Sequence, residues 1–200
     1  MNKQKKNSIM TLKILAGEFG GRLLKAPKGS QTRPTTSMVR KAVFDILQPK
    51  IESAVFLDLF SGSGLMGIEA LSRGAKQAIF IDSHYEAMRA VKENLALLKI
   101  ESRAMILQID VFKGMIKLQE MGAQCDIIYA DPPYDKSNLY LELLKFFDQS
   151  SLLKPEGDLF LESPFPSPID KAPIALTTLI PLATRRYGAS VLYPYVKKTS

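Results

Sequence analysis

Tryptophan is absent from this chain, and cysteine and histidine occur once each, as Cys125 and His84. A single cysteine excludes an intrachain disulfide and suits a reducing cytoplasm. With one cysteine and one histidine there is no cluster of soft ligands, so no metal is expected. Cys125 falls in an apolar run and reads as a buried structural thiol. His84 stands at a helix start, where a surface or capping role is usual. No apolar stretch approaches the roughly 18 residues that span a bilayer, so no membrane partner is expected. The opening MNKQKKNSIMTLKILAG carries the lysines of a signal peptide, but Lys13 interrupts its apolar part. Residues 1–9 therefore read as a loose basic tail. Internal repeats and low-complexity tracts are missing as well.

Acids are scarce in one place only. Residues 1–50 hold 11 Lys and Arg against Glu18 and Asp45, a balance of +9, and the rest of the chain balances to −2. The net charge of +7 thus comes from the N-terminal quarter. A basic arm beside a nearly neutral body is the electrostatic footprint of nucleic-acid binding. The 200 residues suit one domain with a small appendage. The division is a basic extension over 1–50 and a larger domain over 51–200.

Within 1–50, residues 12–26 read as a hairpin turning through Gly17 to Gly21. Residues 27–34 have the Pro and Gly of a loop. Thr35 or Thr36 can cap a helix running to about Leu47, with Val39, Ala42, Val43, Ile46 and Leu47 on its apolar face. Arg40 and Lys41 lie outside that set. After Pro49 strand and helix alternate. Strand-like runs cover Ala54–Phe60, Gln77–Ile81, Arg103–Ile109 and Cys125–Ala130. Helix-like segments cover Leu65–Arg73, Tyr85–Leu98, Val111–Glu120 and Asn138–Phe147. That order predicts a parallel sheet covered on both faces. A run at Asp158–Glu162, a Pro-rich loop and two β-rich runs around Tyr187-Gly188 predict an antiparallel end to the sheet.

The first of these strands ends in Asp58-Leu59-Phe60, and Ser61-Gly62-Ser63-Gly64-Leu65-Met66-Gly67 follows. Asp82 comes twenty residues after Gly62. This is the G-x-G-x-x-G arrangement with its second-strand acid for ribose hydroxyls. A dinucleotide would place a pyrophosphate at the helix start, beside the negative Asp58. S-adenosylmethionine carries an ammonium and a sulfonium instead, and Asp58 suits those. Asp82 then takes the ribose diol, and Asp110 can accept from the adenine amine. Asp110 also suits a helix N-cap, and the two roles are compatible.

Asp131-Pro132-Pro133-Tyr134 follows the apolar run Cys125–Ala130. An acceptor carboxylate, two rigid prolines and an aromatic ring suit a flat base with an exocyclic amine. Stacking on such a ring is worth about 1–3 kcal/mol per base. The base must leave its stack to reach this pocket. Arg22, Arg33 and Arg40 are the candidates to hold flanking phosphates, with Lys25, Lys28 and Lys41 as electrostatic support. Tyr187 suits either the base pocket or the core.

These motifs together resemble the class I S-adenosylmethionine-dependent methyltransferases that modify base amines. Arg33-Pro34-Thr35-Thr36 with Val39-Arg40, and Phe60 through Ala75, resemble more narrowly the bacterial 16S rRNA guanine-N2 methyltransferase family of the RsmD type. The similarity runs from about Leu12 to the C-terminus. The resemblance implies a Rossmann-like fold with a mostly parallel seven-stranded sheet, an antiparallel C-terminal strand and a small N-terminal hairpin and helix. It implies methyl transfer to guanine N2 in 16S rRNA, within the small ribosomal subunit or its precursor, by a cytoplasmic monomer. It carries catalytic roles to Asp131, Pro132 and Tyr134. Cofactor contacts fall to Asp58, Phe60, Gly62, Gly64, Asp82 and Asp110, and substrate contacts to Arg22, Arg33, Thr35 and Arg40. The chain departs from the family pattern in having Asp82 where Glu is common and Tyr134 where Phe also occurs. Adenine-N6 methylation of DNA or RNA is the alternative reading, and a non-enzymatic RNA-binding module is a third.

Overall fold

The computed structural model describes residues 12–27, 36–134, 138–171 and 174–199. Ten strands and five α-helices lie along them. A two-stranded hairpin pairs β1 (Leu12–Lys13) with β2 (Leu23–Leu24). Helix α1 (Ser37–Leu47) follows. Then come β3 (Val55–Leu59), α2 (Leu65–Ser72), β4 (Gln77–Asp82), α3 (Tyr85–Leu98), β5 (Ala104–Gln108), α4 (Val111–Glu120), β6 (Cys125–Ala130) and α5 (Asn138–Gln149). The chain finishes with β7 (Leu153–Pro164), β8 (Leu179–Pro181), β9 (Arg185–Tyr187) and β10 (Ser190–Lys197).

The main sheet runs β5-β4-β3-β6-β7-β10, with β8 and β9 sharing the outer edge of β10. Strands β5, β4, β3, β6 and β7 are parallel, and β10 is antiparallel to β7. The expected seven-stranded width is therefore present, with its last position split into two short segments. The Pro-rich composition before Thr177 hid β8 from the sequence reading. Between the two covered stretches of β10 lie Tyr193 and Pro194. Pro194 has no N–H to offer, and its carbonyl accepts from the Leu182 amide at 2.9 Å.

Strand alternation builds the layers. Leu57, Leu59, Ile79, Ile81 and Ile128 face α4 and α5. Phe56, Ala78, Phe80, Tyr129 and Phe160 face the other way, against α1, α2 and α3. Helix α1 thus completes one helical layer, with Phe44 stacked 6.1 Å from Phe56. Its cap is Thr36, whose side chain accepts from the Val39 amide. The β1–β2 hairpin packs Leu12, Ile14 and Leu24 on α2 and α3. Buried Glu69 pins it there, accepting from the amides of Leu15 at 2.7 Å and Ala16 at 3.1 Å. Gly17 passes so close to α2 that a Cβ would stand 1.9 Å from the Ser72 carbonyl oxygen, so only glycine fits. Among the described residues no helix is long and apolar enough to cross a membrane.

Candidate active site

In open α/β sheets, ligands sit beyond the carboxyl ends of the strands where strand order reverses. Here that point lies between β3 and β6, which both follow from the crossovers around the first strand of the sheet. The loop after β3 and the tetrapeptide after β6 meet there.

The loop after β3 is held tightly. Phe60 and Gly62 adopt left-handed φ values of 57° and 52°, and Gly64 one of 74°. The Gly62 amide donates to Asp82 Oδ2 at 3.0 Å, and the Gly67 amide to Asp58 Oδ2 at 2.9 Å. The glycines serve different ends. A Cβ on Gly67 would lie 2.3 Å from the Phe80 ring of β4, so this glycine lets helix α2 approach the sheet, and one on Gly64 would lie 2.9 Å from Val91 of α3 and 3.2 Å from Phe80, so this one lets the loop pack between them. A Cβ on Gly62 would meet nothing nearer than 4.0 Å. Gly62 therefore borders open space on the ligand side of the loop.

The acids around this loop suit a cation. Asp58 is 2% exposed, and burial pushes its pKa well above the usual carboxylate range. The Gly67 amide opposes that rise, and nearby Asp82 adds to it. A diphosphate would strain this arrangement further, whereas an ammonium or sulfonium relieves it. Asp82 sits at the end of β4, with Oδ1 accepting from the His84 amide at 2.9 Å and facing the His84 ring at 2.8 Å. Its ring-nitrogen partner is otherwise exposed, in keeping with a surface histidine. Asp110 is exposed and caps α4, accepting from the Lys113 amide at 3.2 Å. These residues fit the chemistry of S-adenosylmethionine, with Asp58 an acceptor suited to a cation and Asp82 and Asp110 acceptors suited to hydroxyl and amine donors.

The side beyond β6 is built differently. Asp131 follows β6 directly, and its Oδ1 is shut away from water with no hydrogen-bond partner among the described residues. Burial raises its pKa well above the usual range, with Glu162 and then Asp58 adding like-charge repulsion. Glu162 lies on β7. The last parallel pair is Ala130 with Leu161, so Asp131 and Glu162 are the next residues along and share a face. Glu162 is 2% exposed and accepts from the Tyr129 hydroxyl. The buried Tyr140 hydroxyl donates to the Pro132 carbonyl at 3.3 Å and fixes its direction. Tyr134, three residues beyond Asp131, is 48% exposed, with its hydroxyl 3.4 Å from Ser190 Oγ.

Sequence reasoning passed over Tyr129, Tyr140 and Glu162. Glu162 was legible in principle, as a further acid at a strand end on the same side as Asp58 and Asp131. The expected RNA contacts fare unequally. Arg22 is exposed on the hairpin. Arg33 and Thr35, with Lys28, lie outside the described residues. Arg40 requires a correction: it is 4% exposed, donating to the Lys13 carbonyl at 3.0 Å and lying 3.4 Å from Glu69. Helix α1 is covered by the hairpin on that side, so this arginine joins the N-terminal segment to α2 and does not reach phosphates. Cys125 is buried, and burial pushes its thiol up to about 12, as a structural thiol requires.

Known proteins resemble this chain in sequence and in fold. The family model described as Conserved hypothetical protein 95 matches residues 12–196. Ribosomal RNA small subunit methyltransferase D of Escherichia coli K12 is 32% identical over 163 residues, covering 82% of this chain and 80% of that protein. The solved yhhF protein of Escherichia coli superposes with a TM-score of 0.81 at 29% identity, covering 95% of this chain and 99% of that one. An RNA methyltransferase from Salinibacter ruber, solved with S-adenosyl-L-homocysteine, shares the fold with a TM-score of 0.59 at 14% identity, covering 84% of this chain and 95% of that one.

Proposed function

This chain belongs to the Conserved hypothetical protein 95 family, and on that premise we propose that it is an S-adenosylmethionine-dependent rRNA methyltransferase whose acceptor is the N2 amine of a guanine in 16S rRNA. The observation that carries the guanine reading is the acid pair at the ends of β6 and β7. Guanine presents two adjacent donors, N1–H and the N2 amine. Adenine presents an amine beside the N1 acceptor. Asp131, with its unpartnered Oδ1, and Glu162 on the neighbouring strand are two acceptors side by side. Two acceptors match guanine and leave adenine's N1 facing a carboxylate.

The chain's residues then act by placement. Asp131 Oδ1 and the Pro132 carbonyl accept from the N2 amine, and this orients its lone pair. Tyr140 keeps that carbonyl aimed. Glu162, held by Tyr129, accepts from N1–H. The Tyr134 ring covers the face of the extruded base. S-adenosylmethionine supplies the methyl group on a sulfonium, an electrophile that needs no metal. Holding reacting atoms about 3–3.5 Å apart supplies much of the acceleration in such a displacement. The N2 proton leaves after transfer, and the raised proton affinity of Asp131 suits it to receive that proton. Asp58, Phe60, Gly62, Gly64, Asp82 and Asp110 hold the donor.

Residues 1–50 serve as the RNA-facing extension and 51–200 as the catalytic body, with Arg22 and Lys25 facing outward. A monomer acting in the cytoplasm on the small subunit or its precursor completes the reading. The test is nucleoside mass spectrometry after incubating undermethylated small-subunit particles with the protein and cofactor. N2-methylguanosine is expected, and Glu162→Gln should slow its formation about 10- to 100-fold, the loss of one hydrogen bond to a charged group. N6-methyladenosine as the product would overturn the guanine reading.

A further inference from the structure

The acidic pocket floor poses a problem for an RNA ligand. Asp58, Asp131 and Glu162 are carboxyl groups, and phosphates must stay away from them. The rim on the β7–β10 side supplies the opposite charge. The β9–β10 hairpin turns at Gly188 at the same end of the sheet as Asp131, because β10 starts opposite the end of β7, with Ser190 paired to Pro164. Arg185 and Arg186 lie on this hairpin, both exposed. Neither forms an ion pair among the described residues.

Arg186 is exposed and yet held in place. Its guanidinium carbon stands 3.5 Å over the centre of the Phe165 ring. Its Nε donates to the Gly188 carbonyl at 3.0 Å. Phe165 is itself 45% exposed and is fastened to the hairpin by its amide, which donates to the Ala189 carbonyl at 2.9 Å. A surface arginine ordinarily keeps its rotamer freedom, and an exposed phenylalanine ordinarily has no partner. Here each orders the other, and the outer guanidinium plane is left open. RNA bases stack on such planes as they do on aromatic rings, and the remaining N–H groups suit phosphate oxygens. Tyr134 reaches this hairpin through Ser190, so one turn carries both the contact to that ring, on the face of Tyr187, and the Arg186 platform, on the face of Val191.

We propose that the β9–β10 hairpin with Phe165 is a second RNA-contacting surface, in which the Arg186–Phe165 stack receives the nucleotide next to the extruded one and Arg185 holds its phosphate. This rests on the rRNA reading above. Its occupant is single-stranded RNA, and it lies at the other side of the sheet from the β1–β2 hairpin, which packs on α2 and α3.

The experiment measures binding of a short guanine-containing single-stranded RNA, and of undermethylated small-subunit particles, across a salt series. Calorimetry with S-adenosylmethionine and a thermal melt accompany each variant. Arg186→Ala should weaken RNA binding about 5- to 150-fold, the range that corresponds to losing one stacked base. Arg186→Lys should keep the salt dependence but recover little of that affinity, because the plane is gone. Arg185→Ala should flatten the salt dependence by about 0.7 log units per log unit of salt. Phe165→Leu should behave like Arg186→Lys. Cofactor affinity should stay at the wild-type value in all four. Wild-type RNA affinity and salt dependence in Arg185→Ala and Phe165→Leu would overturn the proposal, even if Arg186→Ala were impaired through instability. A wild-type protein that methylates rRNA while the variants bind normally would overturn the hairpin alone. A wild-type protein that binds no RNA would overturn the hairpin and the rRNA reading together.

Discussion

Asp131 and Asp148 are both acids that the fold largely buries, and they are treated in opposite ways. Asp148, near the end of α5, is 5% exposed. It accepts from the amides of Thr177, Thr178 and Leu179 and from the Thr177 hydroxyl, all within 3.0 Å. Burial alone would raise its pKa, but those donors outweigh it and hold the carboxyl well below the usual range. Asp131 has the burial and the neighbouring acids without the donors. The chain can satisfy a buried carboxylate when that carboxylate belongs to the fold. Leaving one hungry at a strand end reserves it for something that arrives from outside.

Four substitutions test that contrast. Asp131→Ala should cost about 10²–10³ in single-turnover methylation of small-subunit particles, by analogy with losing one group aimed at developing charge. Its affinity for S-adenosylmethionine, read by calorimetry, should hold. Near-normal turnover would remove Asp131 from the chemistry. Asp148→Ala should do the reverse. We expect a loss of about 1–3 kcal/mol of stability in urea denaturation, because the amides of Thr177, Thr178 and Leu179, the last of them buried, lose their acceptor, with turnover per folded molecule unchanged.

The third test uses pH. The folded pKa of Asp148 lies below its unfolded value, so its contribution is present above about pH 4 and is lost as pH falls through the depressed folded value. The folded pKa of Asp131 lies above its unfolded value, so ionisation there opposes folding. That penalty is absent below about pH 4 and grows as pH rises toward the folded value. Asp131→Asn should therefore raise stability at neutral pH by about 1–3 kcal/mol, the cost of an unsatisfied buried group. The gain should shrink as unfolding is followed toward acid pH. A gain that did not change with pH would argue for repacking instead. The smallest effect is expected at the rim. Tyr134→Phe keeps the ring and loses the hydroxyl, so turnover should fall by about 2- to 13-fold at most, the equivalent of one neutral hydrogen bond at about 0.5–1.5 kcal/mol. A large loss would give the hydroxyl a role that its 3.4 Å separation from Ser190 does not suggest.

Periodicity made most of the sheet legible. The strand over Cys125–Ala130 and the helices over Tyr85–Leu98 and Val111–Glu120 stand where the apolar pattern puts them. The acids Asp58, Asp82 and Asp131 were legible because each ends a strand next to a break in the pattern. Arg40 was misread because charge on a helix normally marks its wet face. Its environment is made by Glu69 and by the Lys13 carbonyl, 29 and 27 residues away in sequence, and no local pattern reports that. Tyr140 was invisible for a similar reason: it reads as one more apolar residue of α5, and only its hydroxyl contact with Pro132 shows a second task. Strand β8 escaped because three residues beside prolines carry too little alternation to be seen.

The split edge of β10 bears on how the protein behaves in a crowd of its own copies. An open strand edge is a template for the next chain. Here the outer edge of β10 is occupied at both ends, and the gap falls at Pro194, which offers no N–H and whose carbonyl is already taken by Leu182. What remains outermost on this side is two three-residue strands, one ending in Pro181 and the other opening with Arg185 and Arg186. Proline and paired positive charge are poor invitations to β-pairing, so high concentration should not drive this edge into fibrous self-association.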